Sequence, residues 1–126
     1  MNKEKNNLIQ GIDTIIIRVS DIESSKAWYQ DNLEFTSVWQ DVDMKLVVLD
    51  TNGAASITLW QTDKKIESHK DTATHPIFKT TDASKLGEDL HNKGVQVEPV
   101  IQDEHVKYFF FFDPDGNILE ACEILG

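Results

Sequence analysis

Residues 108–120 read YFFFFDPDGNILE and predict two antiparallel strands joined by a tight turn. Five successive aromatic residues fill both faces of an extended strand, so we expect this strand to be covered on both sides. The Asp-Pro-Asp-Gly-Asn run is a turn sequence, because proline fixes φ and glycine accepts positive φ. Beyond the turn, strand alternation sends Leu119 and Ala121 to one face and Glu120 and Cys122 to the other. If the first two pack under a helix, Glu120 faces the open side of the sheet.

The residues before this hairpin predict a strand, a helix and a further strand. A strand is predicted at residues 75–79. A helix should follow it, beginning after Asp82, an N-cap residue type, and ending at Gly94. The apolar positions of that helix recur on one face, at Ala83, Leu86 and Leu90. Strands are then expected at residues 95–101, 106–112 and 118–124, and the last two form the hairpin described above.

The same order of elements occurs in the first half of the chain. It predicts a strand at 15–19, the N-cap Asp21, a helix at 22–30, and strands at 35–39, 44–49 and 56–60. An offset of 61 residues superposes the two caps and places Ile22, Ser25 and Tyr29 on Ala83, Leu86 and Leu90.

We interpret this repetition as a duplicated βαβββ unit. The alternative is two helices that share a common cap type by chance. The predicted organisation is an N-terminal tail at 1–10 and a single domain at 11–126. That domain contains modules at 11–61 and 74–124 joined by a polar linker.

Two motifs resemble the glyoxalase, bleomycin-resistance and extradiol dioxygenase group, the vicinal oxygen chelate superfamily. The second-half motif is the aromatic run and turn quoted above, and the first-half motif is Val19-Ser20-Asp21, Ser25, Trp28-Tyr29 and Leu33-Glu34-Phe35. The resemblance covers about residues 11–124 and implies an α+β fold, in which two βαβββ modules form a curled mixed sheet around a cup. Glu34 departs from the pattern, since the family usually has glycine after the helix.

The cup of this superfamily often holds a divalent metal, bound from the first and last strands of each module. The resemblance places Thr14 and His75 at the first-strand positions and Glu120 at a last-strand position. The remaining position falls within residues 57–59, where Thr58 is the best match. His75 and Glu120 are therefore candidate ligands for Zn, Fe, Mn or Ni, whereas a threonine hydroxyl is a weak ligand.

A catalytic metal normally has three protein ligands, so this predicted centre is incomplete. The third ligand would have to be His105 or a residue of another subunit. Without a metal, a buried Glu120 still needs a partner, because burying an unpaired carboxylate costs several kcal/mol. A direct hydrogen bond to His75 would meet that need; alternatively, His75 is simply a partly exposed histidine at the start of a strand.

Aromatic residues suggest what the cup could hold. Trp60 has the same alternation phase as Thr58, and other aromatic residues come from neighbouring strands. Such platforms suit a flat or apolar small molecule, although the same residues could instead be core. The residues expected to bind a ligand are Thr14, Trp39, Thr58, Trp60, Tyr108 and Phe110.

Composition excludes several classes of partner. A chain of 126 residues supports one domain, and its net charge of −10 repels nucleic acid and anionic membranes. The longest apolar run is far shorter than a membrane span requires, and nothing near the start reads as a signal peptide, so we expect a cytoplasmic protein. The one cysteine, Cys122, excludes an internal disulfide, and we expect it to be a small buried hydrophobic residue.

The function predicted on this basis is binding of a small organic molecule in an aromatic-lined cup, by a homodimer, with no cofactor. The alternative is a divalent-metal-dependent lyase, isomerase or dioxygenase that uses His75 and Glu120. A third class is a structural or regulatory interaction domain, whose cup would be filled by its own side chains.

Overall fold

The structure, a computed structural model, describes residues 8–126 and contains two open mixed sheets, each with one helix. The elements of the first half are β1 (Thr14–Val19), α1 (Ile22–Leu33), β2 (Thr36–Asp41), β3 (Leu46–Asp50) and β4 (Ser56–Gln61). Those of the second half are β5 (Ile77–Lys79), α2 (Ala83–Asn92), β6 (Gln96–Val97), β7 (Ile101–Gln102), β8 (Val106–Phe112) and β9 (Ile118–Ile124). The α+β fold class is confirmed. Most of the predicted tail lies outside the described residues.

The two sheets have the same strand order. In the first, the order is β1-β4-β3-β2, with β1 parallel to β4. In the second, it is β5-β9-β8-β6, with β5 parallel to β9 and β7 also paired to β8. The first and last strands of each half therefore lie side by side, which brings the candidate positions of each half together.

Equivalent contacts fix the start of both helices. Asp21 accepts a hydrogen bond from the Ser24 backbone N–H at 3.1 Å, and Asp82 accepts one from Lys85 at 3.0 Å, as expected for N-caps. The side chain of Gln61, at the end of β4, also accepts from the first N–H of α1, and Glu123 in β9 does the same for α2. The repeat in the sequence therefore corresponds to the same hydrogen bonds at the start of both helices.

The helix-facing sides of both sheets share one core. A chain of ring contacts crosses it from α1 to β8: Tyr29 to Phe35 at 6.5 Å, Phe35 to Phe78 at 5.4 Å, and Phe78 to Phe111 at 6.4 Å between centroids. Leu119 and Ala121 are fully buried on this side, as strand alternation predicted. The two halves are therefore held together by apolar and aromatic packing.

The turn between β8 and β9 also ties the halves together by polar contacts. Asp113 is buried and accepts a 2.8 Å hydrogen bond from the Tyr29 hydroxyl, and Asn117 donates to the Arg18 carbonyl oxygen at 2.9 Å. Burial raises the pKa of Asp113 above its ordinary value. Burial, followed by the charge of Asp113, raises the pKa of Tyr29 well above the usual range.

Several predicted element bounds were wrong, among them those of β2 and β3, which begin and end one or two residues away from the predicted positions. Helix α1 continues to Leu33, beyond residue 30, and ends where Glu34 adopts a left-handed conformation with φ 59°. Strand β5 begins at Ile77, after Pro76, which has no N–H to donate. The strand expected at 95–101 is two short strands, and Pro99 lies in the interruption.

None of the helices within residues 8–126 has the length and apolar character needed to cross a bilayer.

Candidate functional site

An imidazole and a carboxylate meet on the face of the second sheet that points away from the helices. His75 precedes β5 by two residues, and Glu120 lies in β9 opposite Ile77. The Nε2 atom of His75 is 2.9 Å from Oε1 of Glu120, and the two side chains are 21% and 12% exposed. The ring of Phe110, the β8 residue opposite Glu120, packs edge-on against the imidazole at 5.8 Å. The carboxylate therefore has a hydrogen-bonding partner in an aromatic setting.

The first sheet holds two hydroxyls at the equivalent place. Thr58 in β4 lies opposite Ile16 of β1, and Thr14 begins that strand two residues earlier. The Oγ1 atoms of Thr14 and Thr58 are 2.7 Å apart and hydrogen-bonded. The first half thus has a neutral pair of hydroxyls where the second half has an acid and a base.

Aromatic side chains flank both pairs on the same faces. Trp60 is half-buried, its indole N–H donates to the Met44 carbonyl oxygen at 3.2 Å, and the Arg18 guanidinium lies 4.9 Å from its ring centroid. Trp39 lies opposite Val48, itself the partner of Thr58, and is 55% exposed. These rings offer flat apolar surface beside the threonine pair.

The eight predicted site residues are divided between the two sheets. Thr14, Trp39, Thr58 and Trp60 belong to the first sheet, and His75, Tyr108, Phe110 and Glu120 to the second. Among residues 8–126, the hydrogen bonds of the two pairs stay within their own halves of the chain. Whether any of them binds a ligand or a metal stays a prediction.

Sequence reasoning missed Lys70, which covers part of the second face. Its Nζ atom lies 2.5 and 2.7 Å from the two carboxylate oxygens of Glu98 and 5.2 Å from the Phe110 ring centroid. The linker that carries Lys70 has no hydrophobic periodicity, and an ion pair across 28 residues leaves no local signal.

Two expectations about this face were wrong. Phe109 and Phe111 are buried under α2, but Tyr108, Phe110 and Phe112 are only half-buried, so the strand is fully covered on one side only. Cys122 is partly exposed rather than buried, because it shares the open face with Glu120.

His105 does not complete a metal centre. It lies five residues before Phe110, the β8 residue opposite Glu120, which is a separation of about 16 Å along an extended strand. Its carbonyl oxygen accepts a hydrogen bond from the Leu125 N–H. Across residues 8–126, no three His, Cys, Asp or Glu side chains are grouped to hold a metal ion. Of the predicted ligands, His75 and Glu120 lie together, which is one fewer than the three protein ligands that a catalytic metal normally has.

The sequence profile of the Glyoxalase/Bleomycin resistance protein/Dioxygenase superfamily matches residues 11–121. The chain belongs to this superfamily. It is also 29% identical over 126 residues to the uncharacterized protein YwkD of Bacillus subtilis, in an alignment that covers 92% of this chain and 98% of YwkD.

Solved structures of this superfamily share the fold. The glyoxalase family protein from Enterococcus faecalis has a TM-score of 0.75 and 24% identity, with 90% of this chain and 98% of that chain covered. A mutant of the fosfomycin resistance protein FosX from Listeria monocytogenes has a TM-score of 0.78 and 18% identity, covering 92% and 93%. That FosX structure contains Mn(II) and 1S,2S-dihydroxypropylphosphonic acid, so a metal is possible in this fold.

Proposed function

We propose that this protein binds a small organic molecule on the aromatic-lined faces of its sheets without an intact metal centre. The observation that carries the proposal is the hydroxyl pair of Thr14 and Thr58, which stands where the second half has His75 and Glu120. A neutral hydroxyl at pH 7 is a poor metal ligand but a good hydrogen-bond donor and acceptor. One half of the superfamily's donor set therefore suits ligand orientation better than metal binding.

The aromatic rings supply the apolar part of such a site. Trp60 and Phe110 lie beside the threonine pair and the His75–Glu120 pair respectively, and both rings are half-buried. Half-buried rings are held in place by packing yet keep surface for stacking. A protein of this kind works by mass action, as a sequestering protein does, and needs no chemical step.

We propose that two copies associate to close the site. The faces that carry the candidate residues also expose Ile16 at 53% and Ile77 at 58%, which lie opposite Thr58 and Glu120. Facing sheets from two chains would bury these side chains and enclose the ligand. Sedimentation equilibrium should then give twice the chain mass of 14.3 kDa. We propose a cytoplasmic location for this dimer.

A second candidate function is a divalent-metal-dependent lyase, isomerase or dioxygenase. It is favoured by the His75–Glu120 pair, which supplies an imidazole and a carboxylate at 2.9 Å from each other. A metal there would polarise substrate oxygens. The two residues would hold it, and a further ligand would have to come from another copy of the chain.

Elemental analysis of the purified protein separates the two functions. We expect less than one equivalent of Zn, Fe, Mn or Ni per chain, and no gain in thermal stability on addition of Mn²⁺ or Zn²⁺. A stoichiometric metal that is lost in both His75→Ala and Glu120→Ala variants would overturn the binding function in favour of the enzyme.

A further inference from the structure

A groove of about 810 Å³ opens between the two halves of the chain, on the helix side of both sheets. Its walls come from the end of α1, the loop at residues 51–55, β5 and α2. Phe111 and Ala121 line it, and strand alternation points their neighbours Phe110 and Glu120 to the opposite face. The groove is therefore separate from the site proposed above.

The floor of the groove is apolar and largely aromatic. Phe78 lines it, packed edge-on against Phe35 at 5.4 Å and in a tilted arrangement with Phe111 at 6.4 Å between centroids. Phe78, Leu86 and Ile15 pack against the buried core but are themselves only partly buried. Part of the core is thus open to the groove, whose volume is that of a small-molecule site.

The rim of the groove has no net charge in a chain whose net charge is −10. Its charged residues are two of each sign: Lys79, Lys93, Glu34 and Asp89. Two of them already have partners, since Asp89 pairs with Lys85 at 3.1 Å and the Lys93 ammonium donates to the Asp31 carbonyl oxygen at 3.3 Å. An ionic ligand would lose its hydration here and find no excess of opposite charge.

We propose that this groove is a second ligand site, for an uncharged, flat aromatic molecule. The aromatic floor offers ring edges and faces for stacking. The Asn52 amide and the side-chain oxygen of Asn32, whose amide nitrogen donates to the Trp28 carbonyl oxygen, offer hydrogen bonds at the rim for a neutral polar edge. Because the walls come from both halves of the chain, the occupant bridges them and stabilises their packing.

A pair of dyes that differ by one charge tests this site. N-phenyl-1-naphthylamine is neutral and flat, and 8-anilino-1-naphthalenesulfonate has the same rings with a sulfonate. We expect saturable fluorescence enhancement with the neutral dye, with one equivalent per chain bound in the groove. We expect the anionic dye to bind at least about tenfold more weakly.

Substitutions on opposite walls locate the dye. Leu86→Trp from α2 and Ala55→Trp from the loop each fill the groove and should weaken binding of the neutral dye by about tenfold or more. The matched control is Ser84→Trp, at an exposed position of α2 that does not line the groove, and it should leave dye affinity unchanged. Ile16→Trp, on the other face of β1, probes the open sheet face instead. Circular dichroism verifies that each variant is folded, and the two independent walls keep the test valid if one variant is not.

Three results would overturn the proposal. One is equal affinity for the two dyes. Another is loss of dye binding in Ile16→Trp while Leu86→Trp and Ala55→Trp bind normally, which would place the dye on the open sheet face. The third is dye binding that disappears as the protein concentration rises, which would show that a second copy covers the groove.

Discussion

Thr58 in β4 and Glu120 in β9 hold the same register position in the two sheets. Thr58 lies opposite Ile16 of β1, and Glu120 lies opposite Ile77 of β5. Thr58 is hydrogen-bonded to Thr14, two residues before Ile16, and Glu120 is hydrogen-bonded to His75, two residues before Ile77. The two halves therefore preserve one pairing geometry with different chemistry. This makes the threonine pair an internal reference for the energy of the His75–Glu120 pair.

We expect the His75–Glu120 pair to be coupled more strongly than the threonine pair. A hydrogen bond to a charged group contributes roughly 1.5–3 kcal/mol, and one between neutral groups roughly 0.5–1.5 kcal/mol. Double-mutant cycles on the free energy of unfolding would measure both, using His75→Ala with Glu120→Ala, and Thr14→Val with Thr58→Val as the matched control. Equal coupling energies in the two cycles would contradict the expectation.

Rebuilding the missing donor pair should create metal affinity. We expect the double variant Thr14→His, Thr58→Glu to bind Zn²⁺ on the order of tenfold more tightly than the unmodified chain, because it adds an imidazole and a carboxylate. Isothermal titration with Zn²⁺ measures this. The control Thr36→His adds an exposed histidine on β2 and should gain much less. Equal affinity in the rebuilt and control variants would contradict the expectation.

The Tyr29–Asp113 contact should make stability depend on pH. The hydroxyl donates to the carboxylate and so lowers the pKa of Asp113, while burial raises it above its ordinary value of 3.8. Removing the donor in Tyr29→Phe should cost roughly 1.5–3 kcal/mol at pH 7, because the acceptor is charged and buried.

The sign of the pH effect follows from linkage. Since the Tyr29→Phe variant has the higher folded-state pKa for Asp113, it loses more stability than the unmodified chain as pH rises through that pKa. The difference in free energy of unfolding should therefore shrink on acidification towards pH 3.8. Urea unfolding at several pH values measures it. A difference that is constant from neutral to acidic pH would mean that Asp113 is not the acceptor.

Sequence patterns specified the duplicated fold because each signal is local. Asp21 and Asp82 cap helices through residues three positions away, and alternation along β9 alone places Glu120 on the open face. The resemblance then paired Glu120 with His75. Local signals could not place Lys70 over Phe110, because that contact depends on the path of a linker without periodicity.

The same limit applies to features that need both halves of the chain. The groove beside Phe78 and the contact of Tyr29 with Asp113 join residues that are distant in sequence. The expected burial of Cys122 was wrong for a related reason, since neither helix of residues 8–126 covers the face that it shares with Glu120.

Glu34 stores strain that glycine would relieve. It ends α1 with φ 59° and ψ 30°, a left-handed conformation in which its N–H donates to the Gln30 carbonyl oxygen. A side chain there costs about 1–2 kcal/mol, whereas glycine loses about 0.5–1 kcal/mol more backbone entropy on folding. We therefore expect Glu34→Gly to raise the free energy of unfolding by about 0.5–1 kcal/mol and Tm by about 2–4 °C.

The control for this substitution is Glu34→Ala, which removes the carboxylate but keeps the Cβ. If backbone strain is the cause, Glu34→Ala should give no stabilisation. Equal gains in the alanine and glycine variants would trace the effect to the exposed carboxylate, which lies near the C-terminal carbonyl groups of α1 and is repelled by their partial negative charge. Thermal unfolding of the three chains at low and high salt separates these causes, because salt screens the electrostatic effect and leaves backbone strain unchanged.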